Sequence, residues 1–251
     1  MTEPSAAPGS HEPNDLEDLQ SRVGRWLGKR GGVTVLEAGC GSTSHLDLAG
    51  VARIVGIDIS EAQLRRHPQL DERILGDLQT YPLPAAGYDL IVSWDVLEHL
   101  SEPEAALEIL FRALKGDGLM VLAFPHLLSL KGLLTRYTGY GFHLLFYRRV
   151  IGDRRSMDQG FGQFPTYLRD AIQPDRLIER AKRAGLELEY LKLYEGPVQR
   201  HVRKRYPLAD WMLGAVGTLS RWATSGRHDL TNSDVILVFR RPAAEALDSI
   251  G

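Results

Sequence analysis

The sequence predicts one α/β domain built on a mainly parallel sheet, and three observations carry that expectation. Short β-branched runs alternate with stretches of helical periodicity, glycine-rich turns separate them, and acidic residues close three successive strand candidates. At 251 residues, 43% hydrophobic and 25% charged, the chain suffices for one substantial core with decorations.

Residues 1–14 place Pro4, Pro8, Gly9 and Pro13 among small polar residues, a composition that cannot offset the entropy of ordering, and are read as a disordered tail. The domain proper is expected over 15–240. Residues 15–29 carry the helical stripe Leu16, Leu19, Val23, Trp26 and Leu27, stopped by Gly31-Gly32. Strands are predicted at 33–38, 53–59, 73–75, 88–93 and 119–124. A helix over 102–114 puts Ala105, Leu107, Ile109, Leu110 and Leu114 on one broad face, and Gly116-Asp117-Gly118 is expected to end it. A helix at 174–185 and strands at 186–193 and 235–240 complete the pattern, and 241–251 is read as a flexible tail.

Two insertions break the rhythm. Residues 126–166 are rich in aromatic and basic side chains and are expected to cover a substrate. Residues 196–232 include Leu208, Trp211, Met212, Ala215, Val216, Leu219 and Trp222 at helical spacing. That stripe is expected to pack on the domain or on a second copy of the chain, giving a homodimer; contact with lipid or an acyl chain is the sharper alternative.

A formal net charge of −2 supplies no global field for nucleic acid or an anionic membrane, so either partner would need a local patch. The balance favours a small-molecule partner. The single cysteine, Cys40, forbids an intrachain disulfide and a cysteine-based zinc site, which fits a reducing, cytoplasmic setting. No stretch reads as a signal peptide or a membrane span.

The chemistry begins at Glu37-Ala-Gly39-Cys40-Gly41, where a hydrophobic strand runs into a glycine turn that lets backbone approach a ligand. The dinucleotide fingerprint wants glycine or alanine where this chain has Ser44, which disfavours a diphosphate. Glu37 would repel a diphosphate but can hold a cationic amine, as in methionine-derived ligands. Asp58 ends the second strand about twenty residues on, the position from which a carboxylate accepts both ribose hydroxyls; it could equally cap the helix starting near Ser60. Asp77 ends the third and could accept from an adenine amino group, with the backbone N–H of Leu78 facing the ring, or be a turn residue. Three acids at three strand ends converge on the edge where open α/β sheets bind ligands.

Taken with Gly56-Ile-Asp58-Ile59-Ser60, Gly76-Asp77-Leu78 and the run from Tyr88 through Ser93-Trp94-Asp95 to Glu98-His99, these residues resemble the ordered motifs of class I S-adenosylmethionine-dependent methyltransferases, from about residue 33 to 124. The resemblance implies a Rossmann-like, seven-stranded mixed sheet whose last strand is antiparallel, and S-adenosylmethionine as the cofactor. It implies that Gly39 and Gly41, with Cys40 between them, flank the methionine part, Asp58 and Ile59 the ribose side, Asp77 and Leu78 the adenine, and Ser93 and Trp94 the reactive end. Thr43 departs from the family's frequent third glycine, which leaves the path of that turn open.

An alcohol acceptor needs a base. The candidates are Asp95, Glu98 and His99 after the fourth strand, and His126 and His143 in the insertion, histidine being suited by its near-neutral pKa. More loosely, Phe124-Pro125-His126, residues 137–150 and Phe164-Pro-Thr-Tyr167 resemble sugar O-methyltransferases of actinobacterial methylmannose polysaccharide synthesis. That resemblance implies an oligosaccharide or small hydroxylated acceptor bound by Trp94, His126, Tyr140, Tyr147 and Arg148. An RNA methyltransferase using the basic run 200–205, a non-catalytic cofactor-binding interaction protein and a nicotinamide dehydrogenase are the competing readings. No metal ligands stand out, and whether a divalent ion assists is left open by the sequence.

Overall fold

The computed structural model describes residues 13–129, 132, 166–226 and 228–243. Helix α1 (Pro13–Leu27) precedes β1 (Thr34–Ala38), β2 (Arg53–Asp58), α2 (Glu61–Arg66), β3 (Glu72–Leu75), β4 (Tyr88–Trp94), α3 (Pro103–Ala113) and β5 (Leu114–Pro125). After the insertion come α4 (Pro174–Arg183), β6 (Glu187–Tyr194), α5 (Pro197–Arg205), α6 (Pro207–Ala223) and β7 (Asp234–Arg240). The strands form one seven-stranded sheet in the order β3-β2-β1-β4-β5-β7-β6, parallel except for β7, which runs antiparallel to both its neighbours.

Successive residues of the central strands fill two cores. Leu36, Ile91 and Leu122 pack with Leu107, Leu110 and Phe111 of α3, while Val35, Leu90, Val92 and Val121 pack with Leu19 and Val23 of α1. Strands buried on both faces therefore read as continuous apolar runs, the signature of a parallel sheet with helices on either side. Strand order reverses beside β1, between β2 and β4, so the carboxyl ends of β1 and β4 border the crevice in which such sheets bind ligands.

Three expectations need correction. Helix α1 starts at Pro13, two residues before the expected boundary, because proline is tolerated in a first helical turn. Helix α3 ends at Ala113, and Gly116-Asp117-Gly118 lies within β5 as an irregularity: Tyr88 pairs with Leu114 and Leu90 with Leu119. Asp117 sits there in the left-handed region (φ 61), its carboxylate paired with Arg30 and Arg240. Of the two placements expected for the apolar stripe of α6, packing on the domain is not seen among the described residues: Leu213, Gly217 and Ser220 are buried, while Leu208, Trp211, Met212, Leu219 and Trp222 are exposed. Of the two predicted insertions, 196–232 supplies α5 and α6, whereas most of 126–166 lies outside the described residues, as do 1–12 and 244–251.

Candidate active site

The turn after β1 leaves the sheet through Gly39 (φ 73) and Gly41 (φ 57), both in the left-handed region. A Cβ on Gly39 would overlap the Val96 side chain, which packs over the turn from beyond β4. The amides of Gly39 and Cys40 both donate to the Ile57 carbonyl, at 2.8 and 3.2 Å, which ties the turn to β2. The Cys40 side chain is buried, and burial beside Asp58 and Glu37 pushes its thiol up to about 12, so it is no nucleophile and only its backbone lines the turn.

Asp58 holds this turn from the next strand. Its Oδ2 accepts from the Gly41 amide at 2.9 Å and its Oδ1 from the Ser60 amide at 2.8 Å. The cap of α2 is Ser60 itself, whose hydroxyl accepts from Gln63 N. Asp58 is thus a brace between two loops whose two oxygens keep spare lone pairs. The Gly76 amide donates to the Asp58 carbonyl at 3.0 Å, which brings the β3 terminus to the same rim. There Asp77 accepts from Gln79 N at 2.9 Å and from Gln79 Nε2, Leu78 is buried, and Ile59 lies exposed at the rim.

Glu37 is buried at the end of β1, where Ser44 Oγ donates to Oε2 at 2.9 Å and His67 Nε2 lies 3.2 Å from the same oxygen, off the line of an aligned hydrogen bond. Burial pushes the Glu37 carboxyl up and the His67 imidazole down. Sequence reasoning noted Ser44 only as a missing glycine, and nothing in the sequence tied His67 to Glu37. Ser93 is buried at the end of β4 with a hydroxyl that finds no hydrogen-bond partner among the described residues. Trp94 is also buried, stacked on His45 at 4.9 Å between ring centroids, so that ring face meets a residue the sequence did not flag.

Beyond β4, Asp95 is exposed and holds φ 53, sparsely populated for a residue with a Cβ. A 3₁₀ turn, Leu97–His99, follows. Glu98 is buried, its Oε1 3.8 Å from His99 Nε2, and its carbonyl accepts from the amides of Tyr167 and Leu168, which anchors the chain returning from the insertion. His126, just past β5, is buried with Nδ1 3.2 Å from the Asn232 carbonyl. A carbonyl only accepts, so Nδ1 carries the proton and Nε2 the lone pair. Burial holds this imidazole below its ordinary range. His143, Tyr140, Tyr147 and Arg148 lie outside the described residues. Among the described residues no group of three His, Cys, Asp or Glu side chains is placed to hold a metal ion.

The two depressed histidines set a pH dependence of stability. As pH falls, the unfolded chain takes up protons at the ordinary histidine pKa of about 6.5, before buried His67 and His126 do. Stability is present above that value and declines below it. Glu37 runs the opposite way at lower pH, since its raised carboxyl favours the folded state below its ordinary range. The melting temperature is expected to fall from about pH 7 to pH 5.5, with a shallower slope in His67→Gln; an unchanged slope in that variant would contradict the assignment.

The arrangement suits S-adenosylmethionine. Two left-handed glycines open a cradle that a Cβ would close, and Glu37, Asp58, Asp77 and Asp95 make an acidic rim that repels diphosphates and attracts a ligand carrying an ammonium and a sulfonium. Glu37 would hold the amine, Asp58 the ribose and Asp77 with Leu78 the adenine. When bound, the cofactor supplies a methyl group activated on a sulfonium.

Comparison with known proteins agrees with the geometry. Residues 36–122 match a methyltransferase domain family. A probable S-adenosylmethionine-dependent methyltransferase of Mycolicibacterium smegmatis is 39% identical over 101 residues, 38% of this chain and 39% of that protein. A ubiquinone/menaquinone biosynthesis C-methyltransferase of Cupriavidus taiwanensis is 34% identical over 164 residues, 59% of this chain and 63% of that one. The chain thus spans about two-fifths of the mycobacterial relative's length and under two-thirds of the other's. The crystal structure of a Listeria monocytogenes protein described as an S-adenosylmethionine-dependent methyltransferase superposes with a TM-score of 0.53 at 14% identity, over 84% of this chain and 92% of that one, a likeness of fold. Glycine cradle, acidic rim, strand order and domain match agree: residues 36–122 carry a methyltransferase domain, and the chain is similar there to S-adenosylmethionine-dependent methyltransferases.

Proposed function

We propose that this chain transfers the methyl group of S-adenosylmethionine to a hydroxyl of a small metabolite, with a sugar or oligosaccharide as the acceptor class. The observation that carries the reading is His126. A hydroxyl acceptor must lose its proton as the new bond to carbon forms, and a neutral imidazole whose Nδ1–H is committed to a carbonyl offers Nε2 to receive it. Methyl transfer is an in-line displacement, so the remaining work is alignment and exclusion of water. His99, beside the buried Glu98 side chain, would be the second base, and exposed Asp95 would orient an acceptor hydroxyl. The aromatic and basic side chains Tyr140, Tyr147, Arg148 and His143 of the insertion supply the stacking and hydrogen bonding a sugar requires.

Labelled methyl transfer across a panel of hydroxylated metabolites tests the reading. His126→Gln is expected to lower kcat about a hundredfold or more while the heat of cofactor binding is retained. In the wild type, kcat/KM is expected to rise through a pKa below 6.5 and stay level at neutral pH, because only the neutral imidazole accepts a proton. Full turnover by both His126→Gln and His99→Gln would overturn the base assignment. A carbon acceptor is the second reading, favoured by the C-methyltransferase name of the Cupriavidus relative; label appearing on carbon instead of oxygen would establish it.

A further inference from the structure

Helix α6 is built inside out. The face it turns to the protein carries Leu213, Gly217 and Ser220, and it packs closely enough that a Cβ on Gly217 would meet Thr231 Cγ2 at 3.1 Å. About half a turn round the helix, Leu208, Trp211, Met212, Leu219 and Trp222 are 69%, 70%, 54%, 63% and 80% exposed. Single exposed apolar residues are ordinary, but a whole stripe containing two tryptophans marks a contact surface. Burying these side chains inward would have stabilised the domain, so their outward placement has to be explained by something that covers them.

The charge around the stripe selects what does. Over residues 195–229 the chain has six cations, Arg200, Arg203, Lys204, Arg205, Arg221 and Arg227, against three carboxylates, Glu195, Asp210 and Asp229, in a protein of net charge −2; Arg203 pairs with Glu195 and Asp210, and Arg221 with Asp229, so the positive excess is carried by the others. Three of them form the last turn of α5, where the chain bends into α6, and Arg205 lies 5.5 Å from the ring centroid of Tyr206 at that corner. Tryptophan, tyrosine and basic residues around an apolar stripe are the composition of helices that lie in the plane of a lipid interface. Among the described residues no helix is long and apolar enough to cross a membrane.

We infer that the outward face of α6, with the basic corner of α5, docks the protein on an anionic lipid bilayer. The docked helices are fixed to the site rim: Gly196 N donates to Ser233 Oγ at 2.8 Å, buried Gln199 Nε2 donates to the Thr231 carbonyl at 2.7 Å, and His126 bonds the intervening Asn232. Docking therefore holds the rim at the interface, within reach of an acceptor carried in the membrane.

The test is cosedimentation of the full chain with sucrose-loaded vesicles of phosphatidylcholine and phosphatidylglycerol, beside vesicles of phosphatidylcholine alone. The protein is expected to pellet with the anionic vesicles and to be released as salt rises. Trp211→Ser/Trp222→Ser and Lys204→Ala/Arg205→Ala are each expected to weaken partitioning roughly tenfold or more, with melting temperature and the heat of cofactor binding unchanged. Brominated lipid in the anionic vesicles is expected to quench wild-type tryptophan fluorescence, since Trp26 and Trp94 are buried and Trp211 and Trp222 are not; this readout needs no variant. No pelleting and no quenching would overturn the inference, as would undiminished pelleting of the tryptophan variant. A dimer in sedimentation equilibrium that Trp211→Ser/Trp222→Ser dissociates would overturn it in favour of a contact between copies.

Discussion

Replacing Gly39 by alanine is expected to weaken S-adenosylmethionine binding a hundredfold or more, by about 3 kcal/mol. Two costs combine. At φ 73 an added Cβ strains the backbone by about 1–2 kcal/mol, and the same Cβ overlaps Val96, which leads directly into the 3₁₀ turn at Leu97–His99. Relief requires the turn or the 3₁₀ segment to move, and either movement deforms the cradle beneath the methionine part of the cofactor. Gly41→Ala is the graded control: at φ 57 its Cβ would meet only Gln63 Oε1 at 3.0 Å, the far end of a flexible side chain, and a smaller loss is expected. Isothermal titration reads both variants, and wild-type affinity in Gly39→Ala would show that the turn does not face the ligand.

Asp58→Ala is expected to weaken the same binding by about 2 kcal/mol, roughly thirtyfold. The substitution removes a carboxylate that accepts from the Gly41 and Ser60 amides, so the glycine turn and the start of α2 lose their common anchor as the ribose loses its acceptor. Asp77→Ala should cost less, because Asp77 is only half-buried and bonds within its own loop to Gln79. Equal or absent effects in the two variants would contradict the division of labour assigned to them.

The elements legible in the sequence are those whose burial is two-sided. Apolar runs such as those ending at Ala38 and Trp94 read as strands because both faces are covered, and the acids at their ends read as a rim because parallel strands bring their carboxyl ends together. Helix α6 shows the limit of periodicity. The spacing of Leu208, Trp211, Leu219 and Trp222 establishes that they share a face, yet an inward face of leucine, glycine and serine carries no comparable signal. Contacts between distant elements were equally hidden: His67 beside Glu37, His45 against Trp94 and the Asn232 carbonyl at His126 belong to no local pattern. The turn within β5 was misread for a related reason, since Asp117 adopts a left-handed conformation held by Arg30 and Arg240 from elsewhere in the chain.

Calorimetric titration of the wild-type chain with S-adenosylmethionine and with its demethylated product tests the central claim most directly. A saturable heat with one molecule bound per chain is expected for each, reduced together in Gly39→Ala and Asp58→Ala. A folded protein, shown by a cooperative melt, that gives no heat with either nucleoside would contradict the account.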